Sequence, residues 1–178
     1  MASYFTSIGT EVTVIEMLDH IAGENDPDLV KLLKKGYEKK GMAFHLNAKV
    51  TEVKSGSVVF EKDGKLESVP ADKVLLSIGR RANTKDIGLE AIHVMTERGA
   101  IVTDEHMKTN IPEVYAAGDV NGKSMLAHTA YREAEVAVNI MLGKRDNMRY
   151  DAIPAVLYTN PELASVGETE YTAKKKGL

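Results

Sequence analysis

Glu11-Val12-Thr13-Val14-Ile15-Glu16, then Asp26-Pro27-Asp28-Leu29-Val30-Lys31-Leu32-Leu33, then Gly41-Met42-Ala43-Phe44-His45-Leu46 is the stretch on which the fold turns. The first run is short, apolar and β-branched, which fits a buried strand over residues 12–15. Asp26 is a good helix N-cap, and Pro27 suits the first helical position, where no backbone donor is needed. Leu29, Leu32, Leu33 and Tyr37 fall on one helical face, and Lys39-Lys40-Gly41 stops the helix. A second strand, residues 43–46, follows that glycine at once. Upstream, residues 2–7 have helical apolar spacing and Gly9 supplies a break. Helix, strand, helix and strand joined by short connections predict an α/β domain with a parallel sheet covered by helices.

Further along, the periodicity shortens. Residues 50–54, 57–62 and 65–69 alternate over short spans, with turn signals at Ser55-Gly56 and Asp63-Gly64. Asp-Gly favours a tight hairpin turn, so an antiparallel three-stranded meander is expected, inserted before the parallel sheet resumes at residues 73–78. Beyond Gly79-Arg80-Arg81 the chain loops to a strand at residues 114–117, and a helix follows from about Met125 to Leu142, closing at Gly143. Strands at residues 155–158 and 163–166 and a helix over 168–176 complete the expected elements.

The 178 residues carry 23 Lys+Arg against 26 Asp+Glu, a formal charge of −3 with the two signs interleaved. No basic run speaks for nucleic acid or an anionic membrane. The longest apolar stretches fall well below the ~18 residues of a membrane span, and the N-terminus lacks a secretory signal, so a cytoplasmic protein is the expectation. There is no cysteine. That excludes disulfides, thiolate metal sites and thiol chemistry on this chain. The five histidines lack metal-ligand spacing and have no obvious acidic partner, so no metal site and no catalytic residue are assigned. Tyr115, Tyr131 and Tyr158 are expected in cores or interfaces.

Three places could carry binding chemistry. Glu16 ends the first strand where a dinucleotide fold uses a carboxylate to accept from both ribose hydroxyls, although strand-end carboxylates commonly just meet water. Gly79 ends an apolar run before two arginines, either as a plain turn or as a point where backbone approaches a nucleotide. The most specific string is Thr109-Asn110-Ile111-Pro112-Glu113-Val114-Tyr115-Ala116-Ala117-Gly118-Asp119. Its Ala-Ala-Gly end offers almost no side-chain bulk to a large cofactor, and Asp119 can accept from a sugar-alcohol hydroxyl. A helix beginning near Met125 then presents free N–H groups and the positive end of its dipole.

Taken in order, these segments resemble the pyridine-nucleotide-disulfide oxidoreductases over nearly the whole chain, and most of all their dihydrolipoamide dehydrogenase branch. The resemblance implies NAD contacts from Glu16, Val50 and Gly79. It implies FAD contacts from Gly118 and Asp119, the latter on the ribityl chain, and from Met125, Leu126, Ala127 and His128 beside the isoalloxazine. It divides the chain into part of an NAD domain (1–84), the C-terminal part of an FAD domain (85–147) and the start of a dimerisation domain (148–178), where Tyr158-Thr159-Asn160-Pro161-Glu162-Leu163 fits the opening. The family's Cys-x4-Cys pair, glycine-rich turns and His/Glu pair are not in this sequence. The expectation is therefore an internal fragment, inactive alone, of a homodimeric enzyme that takes electrons from the dihydrolipoyl groups of 2-oxoacid dehydrogenase or related complexes. Sister enzymes (NADH oxidase, mercuric reductase, glutathione-reductase-like) or a non-catalytic nucleotide-binding module are the alternatives. Self-association of the fragment is expected.

Overall fold

A computed structural model describes all of residues 1–178. The chain is mixed α/β and forms two compact units, Met1–Leu76 with Pro154–Leu178, and Ser77–Ile153.

In the first unit, α1 (Ala2–Ser7) leads into β1 (Thr13–Ile15), α2 (Pro27–Lys39) and β2 (Ala43–His45). The two strands pair in parallel, Thr13 with Ala43 through Ile15 with His45. Asp26 caps α2 as expected, its carboxylate accepting the Asp28 and Leu29 N–H groups at 3.0 and 3.4 Å. The buried face of α2 is narrower than the sequence pattern implied. Val30, Leu33 and Tyr37 are buried, whereas Leu29 and Leu32 are 44% and 66% exposed. Positions 30, 33 and 37 repeat at intervals of three and four and so line one stripe, which packs on Met42, Val12, Val14 and Phe44. Leu29 and Leu32 lie beside that stripe rather than in it.

The meander is present as β3 (Ala48–Lys54), β4 (Ser57–Lys62) and β5 (Lys65–Pro70), all antiparallel. Its second turn places Asp63 and Gly64 at φ 51° and 73°, the left-handed pair that a two-residue hairpin needs. The expected return to a parallel strand at residues 73–78 does not occur. This apolar segment has no strand beside it, and without a ladder its side chains are left in solvent, Leu75, Leu76 and Ile78 at 61%, 68% and 90% exposure. Near the C-terminus, β8 (Ala155–Leu157) and β9 (Leu163–Ser165) form an antiparallel pair, and α4 (Glu170–Lys176) starts on a Thr169–Thr172 capping box. Leu163 joins the core of this unit, and Tyr37 Oη donates to Ser3 Oγ at 2.5 Å.

The second unit contains a 3-10 turn (Glu90–Ile92), a small antiparallel pair β6 (Thr96–Glu97) and β7 (Ala100–Ile101), a second 3-10 turn (Asp119–Asn121) and α3 (Ala127–Met141). Its cores gather Met107, Val136, Ala137 and Met148 on one side and Val94, Ile101 and Ala116 on the other. The strand expected at residues 114–117 is reduced to one bridge, Tyr115 with Lys108, supplemented by Ala116 N–H donating to Met107 O at 3.1 Å. Thr109, by folding its hydroxyl and N–H back onto Val114 O, ties this segment into a tight turn instead of a longer ladder. Of the three tyrosines expected in cores or interfaces, Tyr115 packs on a core, whereas Tyr131 and Tyr158 lie outside the cores of this chain, 81% and 84% exposed.

Candidate cofactor-binding site

The most constrained place in the second unit is the loop between the 107–116 turn and α3. Gly118 sits at φ 86°, ψ −161°, a conformation that side-chain-bearing L-residues avoid. A Cβ there would also stand 3.4 Å from the Ala130 Cβ on α3. Gly122, at φ 68°, closes the following 3-10 turn, and its missing Cβ lets the backbone approach Ala100, which a Cβ would meet at 2.7 Å. The glycines thus press the Asp119–Asn121 turn against both β7 and α3.

What fixes that turn is a carboxylate the sequence reading passed over. Glu133, 0% exposed, accepts the Gly118 N–H at 2.5 Å and Asn121 Nδ2–H at 2.9 Å on Oε2, and the Tyr150 hydroxyl at 2.7 Å on Oε1. Burial, together with donation to Glu133, pushes the Tyr150 phenol well above its ordinary pKa, so it is a fixed donor. The signal was present: on α3 the face that carries Thr129, Val136 and Ala137 is buried, and Glu133 lies on it one turn after Thr129. An acidic side chain on a buried stripe needs donors, and their identity is what the linear sequence does not show.

By contrast, Asp119 faces outward. Its residue is exposed and its carboxylate makes no hydrogen bond within the chain. Met125 and Leu126 precede α3, Leu126 is its N-cap without a side-chain cap, and Ala127 and His128 are exposed in its first turn. The first N–H groups of a helix have no intrahelical acceptor, so this end offers donors and a positive dipole. Met125, Leu126, Ala127 and His128 thus make up the start of α3, and Gly118 and Asp119 stand on the turn that meets the same helix at Ala130 and Glu133. Met125 also lines a cleft of about 780 Å³ with Arg80, Arg81, Arg98 and Lys123, in which the Thr103 hydroxyl is buried without a partner. An outward carboxylate and a helix start without a side-chain cap fit a flavin with its ribityl chain, while Gly118, itself buried against Ala130, shapes the turn that carries the carboxylate.

In the first unit Glu16 follows β1 and is half-buried. Its Oε1 accepts the Leu18 N–H at 2.9 Å, and its carbonyl accepts the Ala48 N–H at 2.9 Å. That second bond anchors the start of β3, on which Val50 stands, 40% exposed, at a register shift opposite β4. Glu16 and Val50 therefore belong to one strand-end region. Gly79 belongs to the other unit, exposed, at φ 106° with open space at its α-carbon. Two histidines do have an acidic neighbour: His106 Nε2 lies 3.7 Å from Glu105 Oε1, and His20 Nδ1 lies 2.6 Å from Asp19 Oδ1, which lowers the Asp19 pKa. Each pair is adjacent in sequence, and His20 and Asp19 are exposed in the loop after β1, so these are local contacts. No group of three or more His, Asp and Glu is placed to hold a metal.

The sequence matches the family model described as pyridine nucleotide-disulphide oxidoreductase over residues 1–134. It is 41% identical over 180 residues to a dihydrolipoyl dehydrogenase of Chlamydia muridarum, covering 99% of this chain and 38% of the relative. It is 38% identical to a dihydrolipoyl dehydrogenase of Bacillus subtilis, covering 100% and 39%. Among solved structures, LpdA from Mycobacterium tuberculosis superposes with a TM-score of 0.89 at 26% identity, covering 99% of this chain and 39% of that one. The HOCl-induced flavoprotein disulfide reductase RclA from Escherichia coli gives a TM-score of 0.85 at 25% identity, covering 99% and 41%. The chain thus spans about two-fifths of the length of these relatives. FAD and NAD(H) are the cofactors of this family. On its sequence and its fold alike, the chain belongs to the pyridine nucleotide-disulphide oxidoreductases.

Proposed function

We propose that these 178 residues are the part of a dihydrolipoyl dehydrogenase that grips one side of each cofactor. Residues 1–84 serve NAD, 85–147 serve FAD and 148–178 open the subunit interface of a homodimer. In such an enzyme the flavin carries electrons between a dithiol substrate, the dihydrolipoyl group of 2-oxoacid dehydrogenase or related complexes, and NAD. This chain's own residues bind and orient. Asp119 accepts from a ribityl hydroxyl, Gly118 lets the turn beside the cofactor pack closely on α3, and the start of α3, with Met125, Leu126, Ala127 and His128, places N–H groups where negative charge on the ring is favoured. Glu16, Val50 and Gly79 contact NAD, the carboxylate taking the ribose hydroxyls and repelling a 2′-phosphate. The thiols that cycle in this reaction class lie outside these residues, since the sequence holds no cysteine. The 178 residues alone are inactive.

The observation that carries this reading is Asp119: an outward carboxylate without a partner, on a loop that glycines and a buried glutamate hold rigid. Its test is Asp119→Ala in the full-length flavoprotein. The expected outcome is loss of bound FAD, read as a fall in flavin absorbance per protein, by about 10-fold or more for a lost hydrogen bond to a charged acceptor. Undiminished flavin content would overturn it.

A further inference from the structure

We infer that Glu133 is the positioning residue of the flavin loop, holding Gly118 and Asn121 so that Asp119 and the start of α3 face one ligand; the ligand's identity rests on the reading above. Two observations separate this role from ordinary core filling. Glu133 is fully buried, yet no cation reaches it: Lys123 Nζ donates instead to Thr103 O at 2.8 Å and lies 5.3 Å from the Tyr150 ring centroid. All three of its donors are neutral, and two of them come from the 118–121 segment itself. A buried carboxylate that is retained for bulk has no need to place one oxygen between the amide before Asp119 and the side chain two residues after it.

The second observation is geometric. Gly118 carries a backbone conformation available to glycine and to few other residues, and its N–H is the point at which the turn is tied to α3. Freed of that tie, a glycine explores φ of both signs, and the Asp119 carboxylate would move with it. Tyr150 steadies the arm from the opposite side, since its hydroxyl donates to Oε1 while the residue packs against the core cluster of Met107, Val136, Ala137 and Met148. The function of Glu133 is therefore one of reach. The side chain must extend from α3 to the Gly118 amide, and an uncharged acceptor of the same length can do so.

Reach and charge are separated by three substitutions. Glu133→Gln keeps the length and an acceptor oxygen, Glu133→Asp keeps the charge but is one methylene shorter, and Glu133→Leu keeps only the bulk. In the 178-residue chain, amide hydrogen exchange at Gly118 is expected to stay near wild type in the Gln variant. It is expected to accelerate about 10- to 100-fold in the Asp and Leu variants, with Val136 on the same helix unchanged. In the full-length flavoprotein, FAD retention should follow the same order, with Gln above Asp. Equal loss at Gly118 and Val136 would reduce Glu133 to a stabiliser of α3 and overturn the inference. So would an Asp variant that protects Gly118 better than Gln, or protection unaltered by Leu. Asp119→Ala serves as the separate control on the ligand: if it leaves FAD bound, the flavin reading fails, while the exchange data still decide what Glu133 holds.

Discussion

Glu16, just past the end of β1, and Glu133, in the middle of α3, are both carboxylates, and their surroundings give them opposite work. Glu133 has every oxygen engaged and none exposed. Glu16 spends one oxygen on the Leu18 N–H, which fixes its direction, and leaves Oε2 without a partner in the chain. A carboxylate held by one oxygen and open at the other is suited to receive a ribose, and its charge sets the preference between cofactors. Under the proposed role, Glu16→Arg in the full-length enzyme removes that repulsion of a 2′-phosphate and supplies a cation that can pair with it. The ratio of NADH to NADPH use, compared as kcat/KM, should fall by about 10-fold or more, the worth of one charge-assisted hydrogen bond. An unchanged ratio would remove Glu16 from the nucleotide site. A variant that loses activity with both cofactors in proportion would show instead that its bond to Leu18 shapes the strand end.

At the scale of elements, α3 is tied down by a second polar contact distant from the loop. The Asp146 carboxylate accepts from Arg132 at 2.5 and 3.0 Å and from Asn139 at 2.8 Å, both on α3. The Arg132 guanidinium, and after it the Asn139 amide, hold its carboxyl well below the usual aspartate value of about 3.9. Since the folded value is the lower one, this stabilisation is complete above the unfolded value and fades as pH falls toward the folded one. Asp146→Asn should therefore lower the denaturant midpoint at pH 7, and the gap to wild type should narrow below about pH 4. A gap that stays constant down to pH 2 would mean that packing rather than charge fixes this contact. Such ties explain where the sequence was legible. Asp26-Pro27 and Asp63-Gly64 dictate local backbone, so α2 and the β4–β5 hairpin were readable. Residues 74–78 and 114–117 look equally strand-like, but a strand is defined by its neighbour, and the linear pattern carries no record of one. The same limit separates Gly118-Asp119, visible as a string, from Glu133, whose partners are 12 to 17 residues away.

Over the whole molecule the unpaired surface is large enough to have consequences. The accessible area is 12927 Å², where a monomeric protein of 19.5 kDa exposes about 8,500 Å² and two independent folds of half that mass about 10,300 Å². The excess over the more generous reference, about 2,600 Å², exceeds a standard protein–protein interface of about 1,600 Å². Part of it is concentrated in one extended run, with Val74, Leu75, Leu76 and Ile78 exposed by 44%, 61%, 68% and 90% and no strand pairing their backbone. Unpaired backbone beside aliphatic side chains is a template for another chain. The 178-residue protein should therefore self-associate, its weight-average mass in sedimentation rising with concentration across the micromolar range. Replacing Leu76 and Ile78 together by lysine should shift the rise to higher concentration without changing the far-ultraviolet circular dichroism, because neither residue lies in a helix or strand. A wild-type protein that sediments as a monomer at every concentration would refute the link between this run and association. Association undiminished in the double variant would move the contact to another exposed face, such as that of Leu29 and Leu32 on α2.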